Sequence, residues 1–273
     1  MAFTPPSLTS PSDPAIIADS GRFTVGTGVA VLLALSWVYV AALDWGMVNM
    51  DVSEDWFLMP GMVDWSGTDL VLVFIMWAVM MVAMMLPSAA PMLMLFSKIS
   101  HGRTSAGHAL FATAALTAGY LAVWTVFSLI VTLVQWRLLE ARLVSPMMTS
   151  ASPALSAVLL VTAGAYQFTS LKNACLSRCR SPWNTLLNHW HDGPAGAFVM
   201  GLRQGGYCAG CCWLLMALLF VFGVMNLIWI AALSLFVLLE KLLREPRWFA
   251  QGTGAMLLAW GALVAVRAAS VAG

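Results

Sequence analysis

Seven long apolar stretches dominate this chain of 273 residues and constrain its fold more than any other feature. Hydrophobic residues make up 61% of the sequence and charged residues only 9%, a balance far too apolar for a water-soluble domain. A helix needs about 20 apolar residues to cross the hydrocarbon core of a bilayer. The expected crossings fall at 26–43, 70–96, 109–134, 153–171, 206–223, 226–243 and 252–269.

The continuity of these stretches indicates helices, because the strands of a membrane barrel alternate in polarity over about ten residues. The sequence therefore predicts an all-α, polytopic transmembrane helical bundle of about seven spans. We divide the chain into a disordered cytoplasmic tail, 1–25, and a single transmembrane helical domain, 26–273. The tail lacks the basic cluster of a cleaved signal peptide, so the first span is expected to remain as an anchor.

The basic residues predict the orientation, because Lys and Arg in short loops are held on the cytoplasmic side. With a cytoplasmic N-terminus, only Arg137, Arg142 and Arg267 of the 13 basic residues fall outside, and the first outer loop, 44–69, is acidic. We therefore expect the N-terminus inside and the C-terminus outside. Topology alone explains the basic loops, and the net charge of +1 gives no indication of a nucleic-acid partner.

Three cysteines lie close together at the start of the fifth apolar stretch, in the sequence Gly-Tyr-Cys-Ala-Gly-Cys-Cys-Trp. Cys208, Cys211 and Cys212 stand at i, i+3 and i+4 and share one helix face, which Met216 extends by one turn. Arg203 lies just upstream, and a nearby cation at a helix N-terminus favours the thiolate, the form that binds metal. The pattern indicates a metal site at the mouth of a span. The alternative is packing, since small residues are common at membrane helix contacts.

A second pair, Cys175 and Cys179, falls in the expected inner loop between the fourth and fifth spans. The predicted topology puts this loop on the same side of the membrane as the start of the Cys208 helix. The two groups could therefore meet in one site. Unremarkable reduced thiols in a cytoplasmic loop are the alternative interpretation.

The second apolar stretch is unusually rich in methionine. Pro87 follows these methionines, removes a backbone donor and is expected to kink or break the span, as happens at transporter binding sites. Thioethers also select soft metal ions such as Cu(I), although methionine is often only flexible core filler. One row contains Met76, Met80 and Met84, and the neighbouring row contains Met81 and Met85.

Catalytic patterns are missing from the sequence. It contains no phosphate-binding loop, no serine-histidine-acid arrangement and no paired catalytic carboxylates, so we expect a protein that is not an enzyme. Glu240 and Lys241 are ionisable residues inside an apolar stretch. They lie near its end, where long side chains are expected to reach water.

The Met-Met-Leu-Pro-Ser block at 84–88, together with the Cys208, Cys211, Cys212 block, resembles a bacterial family of predicted metal-binding integral membrane proteins. The resemblance covers about 70–241 but does not extend to Cys175 and Cys179. It implies copper handling in the inner (cytoplasmic) membrane by a membrane chaperone that helps load copper into an oxidase such as a tyrosinase-type enzyme.

The leading hypothesis is a Cu(I)-binding protein of the lipid bilayer that passes the metal ion to a client cuproenzyme. Two alternatives remain open: a membrane thiol-disulfide oxidoreductase, and a structural or assembly subunit without metal. The expected metal-binding residues are Cys208, Cys211, Cys212, Met80, Met81, Met84, Met85, Met216, Cys175 and Cys179.

Overall fold

The computed structural model describes residues 14–48, 65–145, 148–181, 190–243 and 246–272. Within these ranges the chain is all-α, as predicted, with one isolated β-bridge between Val144 and Ser150 and no strand. The described helices are α1 (Pro14–Val48), α2 (Gly67–His101), α3 (Ala106–Glu140), α4 (Pro153–Tyr166), α5 (Ser170–Arg180), α6 (Gly193–Ala217), α7 (Leu219–Phe222), α8 (Leu227–Leu242) and α9 (Pro246–Ala272).

Five of the described segments are long and apolar enough to cross a membrane: α1, α2, α3, the α6–α7 pair and α9. The count rises to six if α4 and α5, which meet at a bend of 65°, form one broken span. The expected sixth span corresponds to α8, a helix of only 16 residues. The number of crossings and the cytoplasmic N-terminus therefore stay predictions.

The first helix begins earlier than the sequence indicated. It starts at Pro14, so residues 14–25, expected in a disordered tail, form its first turns. Proline is favoured there because the first turn of a helix leaves its N–H groups unpaired in any case. The rest of the predicted tail, 1–13, lies outside the described residues.

Side-chain caps define where the shorter helices begin. Thr169 accepts a hydrogen bond from the backbone N–H of Lys172 and starts α5 directly after the bend. Asn226 accepts from the N–H groups of Ile228 and Trp229 and starts α8. Asp44 of α1 accepts from the N–H of Leu227, which ties the end of α1 to the start of α8.

The two central helices of the bundle are α2 and α6. Half of the most apolar part of each is buried, compared with 22% for α1 and α9 at the periphery. Helix α2 packs on α1, α3 and α8, α6 packs on α3 and α5, and α4 packs on α9. The sulfur-bearing helices therefore occupy the interior.

Glycines allow α3 and α6 to approach closely. A Cβ atom at Gly119 of α3 would overlap the carbonyl oxygen of Phe198, and one at Gly201 of α6 would overlap that of Leu116. Membrane helices use small residues in this way because close packing, rather than water exclusion, drives their association. The contact fixes the position of α6, and hence of its cysteines, relative to α3.

Candidate metal centre

The three clustered cysteines lie in the C-terminal half of α6. This helix begins at Gly193, fifteen residues before Cys208, which places Cys208 roughly 22 Å from the helix N-terminus at 1.5 Å per residue. The expectation that the cluster stands at the start of its helix is therefore wrong. The helix dipole cannot favour its thiolate either, because that effect fades within the first turn.

All three side chains are buried, with 0–1% of their surface exposed. The thiols of Cys211 and Cys212 donate hydrogen bonds to the carbonyl oxygen of Cys208, over 3.1 Å and 2.9 Å. The thiol of Cys208 points elsewhere, towards other helices. The predicted common face of α6 is thus confirmed as a buried face, with its thiols in two orientations.

Methionines of α2 complete this core. The Sγ atom of Cys212 lies 3.9 Å from the Sδ atom of Met85, so a sulfur of α6 touches a sulfur of α2. The other expected methionine ligands lie in the same buried core: Met80, Met81, Met84 and Met216.

Helix α2 continues through Pro87 and Pro91, so the expected break at Pro87 does not occur. Hydroxyl groups stabilise the backbone next to the prolines. The carbonyl of Met85 accepts hydrogen bonds from Ser88 (2.7 Å) and Tyr120 (3.2 Å), and that of Met84 accepts from Ser234 (3.3 Å). Ser88 of α2 and two hydroxyl groups of neighbouring helices thus add hydrogen bonds to the backbone beside the prolines.

Cys175 and Cys179 lie on helix α5, not in the loop that the sequence predicted. A Cβ atom at Gly210 of α6 would lie only 2.8 Å from the Cys175 sulfur, so this thiol packs directly on the cluster helix. The Cys179 side chain packs against the same buried core. Both α5 cysteines are partly exposed, so α5 extends the buried cluster towards the surface.

The arrangement is not a preformed ligand set of the usual kind. Within the described part of the chain, no three His, Cys, Asp or Glu side chains are arranged so that they could hold a metal ion. The orientations explain this, because two thiols turn to the Cys208 carbonyl while the Cys208 thiol turns away. Joint coordination would need thioether ligands or rotation of the cysteine side chains.

Cys208 stands where four helices meet. Its Sγ atom lies 3.1 Å from the hydroxyl of Tyr120 on α3 and 3.0 Å from Nζ of Lys241 on α8. Lys241 also donates to the hydroxyl of Ser88 on α2, over 2.7 Å. Sequence reasoning missed Tyr120 and Ser88, which are ordinary residues within apolar stretches.

A cavity of about 90 Å³ adjoins this group, and Cys179, Cys208, Gln204 and Lys241 are among its lining residues. One water molecule needs about 10–15 Å³ measured in this way. The cavity therefore has room for small ligands beside the Cys208 sulfur.

Glu240 does not reach water at the interface as expected, whereas Lys241 is half-buried and turns its ammonium group to Ser88 and Cys208. Glu240 is 1% exposed and forms an ion pair of 2.7 Å with Lys172 of α5, which is equally buried. Lys172 also donates to Gln167 at the α4–α5 bend. The pair fixes the cysteine-bearing helix α5 to α8.

Tyr207, which precedes Cys208, links α5 to α6 on the exposed side. Its hydroxyl accepts hydrogen bonds from Arg178 of α5 (2.6 Å) and Arg203 of α6 (3.1 Å). Three residues further along α6, the carbonyl of Gly210 accepts a hydrogen bond of 2.5 Å from Tyr166 of α4. These bonds tie the cluster helix to α4 and α5.

A comparison with protein families shows which family this chain belongs to. Residues 74–264 match the family described as PpoB2, copper chaperone. The match includes all ten sulfur residues expected to bind metal, as well as Tyr120, Lys172, Glu240 and Lys241. Searches of curated proteins and of solved structures found no match. Because the match covers more than half of the sequence, this chain belongs to the PpoB2 copper chaperone family.

Proposed function

We propose that this protein carries Cu(I) inside the membrane and transfers it to a client cuproenzyme. The observation that carries the proposal is the sulfur core shared by α2 and α6, in a chain of a copper chaperone family. Thiolates and thioethers are soft ligands that select Cu(I) over hard cations. Burial in an apolar bundle would also keep water and oxidants from the metal.

The proposed binding residues are Cys208, Cys211 and Cys212. Their sulfurs sit within one helical turn and a half, and the hydrogen bonds of Cys211 and Cys212 to a single carbonyl keep two of them close together. Copper binding would replace these weak thiol hydrogen bonds by metal–sulfur bonds after small side-chain rotations. The contact between Cys212 and Met85 places a thioether beside the thiols as an additional ligand.

The remaining sulfurs suggest a transfer path. Cys175 and Cys179 are partly exposed and pack against the core that holds the cluster, so they would accept copper near the surface and pass it inwards. Met80, Met81, Met84 and Met216 would offer weaker thioether positions within the same core. Exchange between neighbouring soft ligands needs no ATP, and a weakly held ion can be released to a partner.

Membrane embedding belongs to the same proposal. Five described segments have the length and apolar character of membrane spans. Large apolar side chains such as Val38, Phe111 and Leu263 are more than 60% exposed on peripheral helices. Contact with lipid would bury them. Extraction of membranes with alkaline carbonate tests this, because an embedded bundle stays with the lipid fraction and a peripheral protein is released.

Metal analysis after anaerobic Cu(I) loading of detergent-purified protein tests the binding residues. The Cys208→Ser/Cys211→Ser/Cys212→Ser variant should retain only background copper, whereas Cys175→Ser/Cys179→Ser should retain the wild-type stoichiometry and load more slowly. Undiminished copper in the triple variant would refute the assignment. A mixed disulfide with a partner, trapped in a Cys→Ser variant, would instead support an oxidoreductase.

Transfer to a client is tested separately from binding. Loaded protein in vesicles is mixed with a copper-free oxidase of the tyrosinase type, and oxidase activity is followed with a tight Cu(I) chelator present in solution. Activation that survives the chelator supports direct transfer. Activation that the chelator abolishes indicates release of free copper and contradicts the chaperone step.

A further inference from the structure

We propose that Lys241 is a specificity-determining residue, which makes the thiol cluster favour a monovalent metal ion over divalent ions. The inference rests on the proposed function, because it concerns the metal held by the same cysteines. Its basis is the position of one ammonium group and the charges around it.

Lys241 directs its charge into the cluster. Its Nζ atom lies 3.0 Å from Sγ of Cys208 and 2.7 Å from Oγ of Ser88. A lysine near the end of a membrane helix ordinarily extends to the interface. Here the side chain instead lines the cavity beside Cys208.

The neighbouring carboxylate is already occupied. Glu240 forms its ion pair with Lys172, over 2.7 Å, and both side chains are 1% exposed. Among the residues that the structure describes, no carboxylate forms a salt bridge with Lys241. The ammonium group instead donates to the Cys208 sulfur and to the Ser88 hydroxyl, so its charge is directed at the cluster.

The sulfur ligands carry the same charge for either kind of ion. Each thiol that binds metal releases its proton and contributes one negative charge, and it does so equally for Cu(I) and for a divalent ion. Lys241 adds the charge of its ammonium group 3.0 Å from the Cys208 sulfur.

Lys241 distinguishes the two kinds of ion by Coulomb repulsion. A metal bonded to Cys208 at about 2.3 Å lies within roughly 5 Å of Nζ, given the 3.0 Å between that nitrogen and the sulfur. At the effective dielectric constant of a protein, the second charge of a divalent ion at this distance costs on the order of a hundredfold in affinity. Repulsion of a monovalent ion is half as large, and soft sulfur bonding offsets it.

Competition titrations of the purified full chain with Cu(I) and with Zn(II) test this inference. Lys241→Met removes the charge and keeps an unbranched side chain, whereas Lys241→Arg keeps the charge. Lys98→Met is the matched control, because Lys98 is an exposed residue in the last turn of α2. The ratio of the Zn(II) and Cu(I) affinities is the readout, since loss of the Lys241 contact with the Cys208 sulfur affects both ions alike, whereas loss of the charge does not.

The ratio should shift towards Zn(II) by at least about tenfold in Lys241→Met and stay within about twofold of wild type in Lys241→Arg and Lys98→Met. An unchanged ratio in a Lys241→Met protein that still binds Cu(I) overturns the role of Lys241 and leaves the proposed function intact. Failure of the wild-type protein to bind Cu(I) refutes the proposed function itself. An equal shift in Lys98→Met would assign the effect to overall charge and also overturn the inference.

Discussion

The Sγ atom of Cys212 lies 3.9 Å from the Sδ atom of Met85, and this contact joins the C-terminal half of α6 to the centre of α2. The two residues are 127 positions apart in the chain, and both are fully buried. Their contact unites the cysteine-rich and methionine-rich segments in one core. Met85 is therefore the methionine that we propose to test as a metal ligand beside the cysteines.

We predict that Met85→Leu weakens Cu(I) binding without unfolding the protein. Leucine has a similar volume, and such exchanges usually cost less than about 1.5 kcal/mol of stability, so the main loss is the soft sulfur donor. We expect the Cu(I) affinity to fall by about three- to tenfold, an estimate of order 1 kcal/mol. Competition with a chromogenic Cu(I) chelator measures it.

Met200→Leu is the control for this change. Met200 is a buried methionine of α6 that packs in a separate apolar cluster, away from the cysteines. Its replacement should leave Cu(I) affinity unchanged. Equal effects of the two substitutions would show that Met85 acts through general packing and does not serve as a ligand.

Loss of one partner of the buried ion pair between Lys172 and Glu240 should destabilise the protein more than loss of both partners. Lys172→Met or Glu240→Gln alone leaves one buried group without its partner, which typically costs about 3–5 kcal/mol. The double variant Lys172→Met/Glu240→Leu removes both charges and should recover most of the lost stability. Thermal unfolding in detergent measures this, and a double variant no more stable than the singles would contradict the prediction.

Close packing of α3 and α6 should depend on Gly201. A Cβ atom there would overlap the carbonyl oxygen of Leu116, and backbone cannot move aside as a flexible side chain can. We expect Gly201→Ala to lower the free energy of unfolding by about 1–3 kcal/mol, and to reduce copper retention because α6 carries the cysteines.

Gly206 of the same helix offers the matched comparison, because nothing lies within 4 Å of a Cβ atom at that position. Gly206→Ala should change stability by no more than about 0.5 kcal/mol. Both variants are compared by thermal unfolding in the same detergent. A similar loss in both would point to a general effect of alanine and not to the α3–α6 contact.

The helical architecture was predictable because the apolar stretches are long and continuous. Each of the seven expected spans overlaps a described helix. The positions of the helix ends were not predictable, because several helices extend beyond their apolar parts into polar and small residues. Helix α6 shows this clearly, since its turns from Gly193 to Gly205 contain four glycines and Arg203 and were predicted to form a loop.

The cysteine face of α6 and the methionine rows of α2 also followed from spacing, since residues three and four apart share a helix face. The contacts of these residues with other helices could not be predicted from spacing. The sequence around Tyr120 and Ser88 contains no pattern that indicates a contact with Cys208. The position of Lys241 near a helix end suggested that its side chain would contact water. Only the packing of four helices brings these groups to one sulfur atom.

The sequence by itself determined an apolar helical bundle and which helix faces carry sulfur, because both depend on local composition and on the period of the helix. The tertiary structure alone decided that Cys212 touches Met85, that Lys172 pairs with Glu240 and that Lys241 faces Cys208. These relationships depend on the distance between packed helices and on the rotation of each helix about its axis. Glycines distant in sequence set that geometry by allowing backbones to meet, as Gly119 and Gly201 do between α3 and α6.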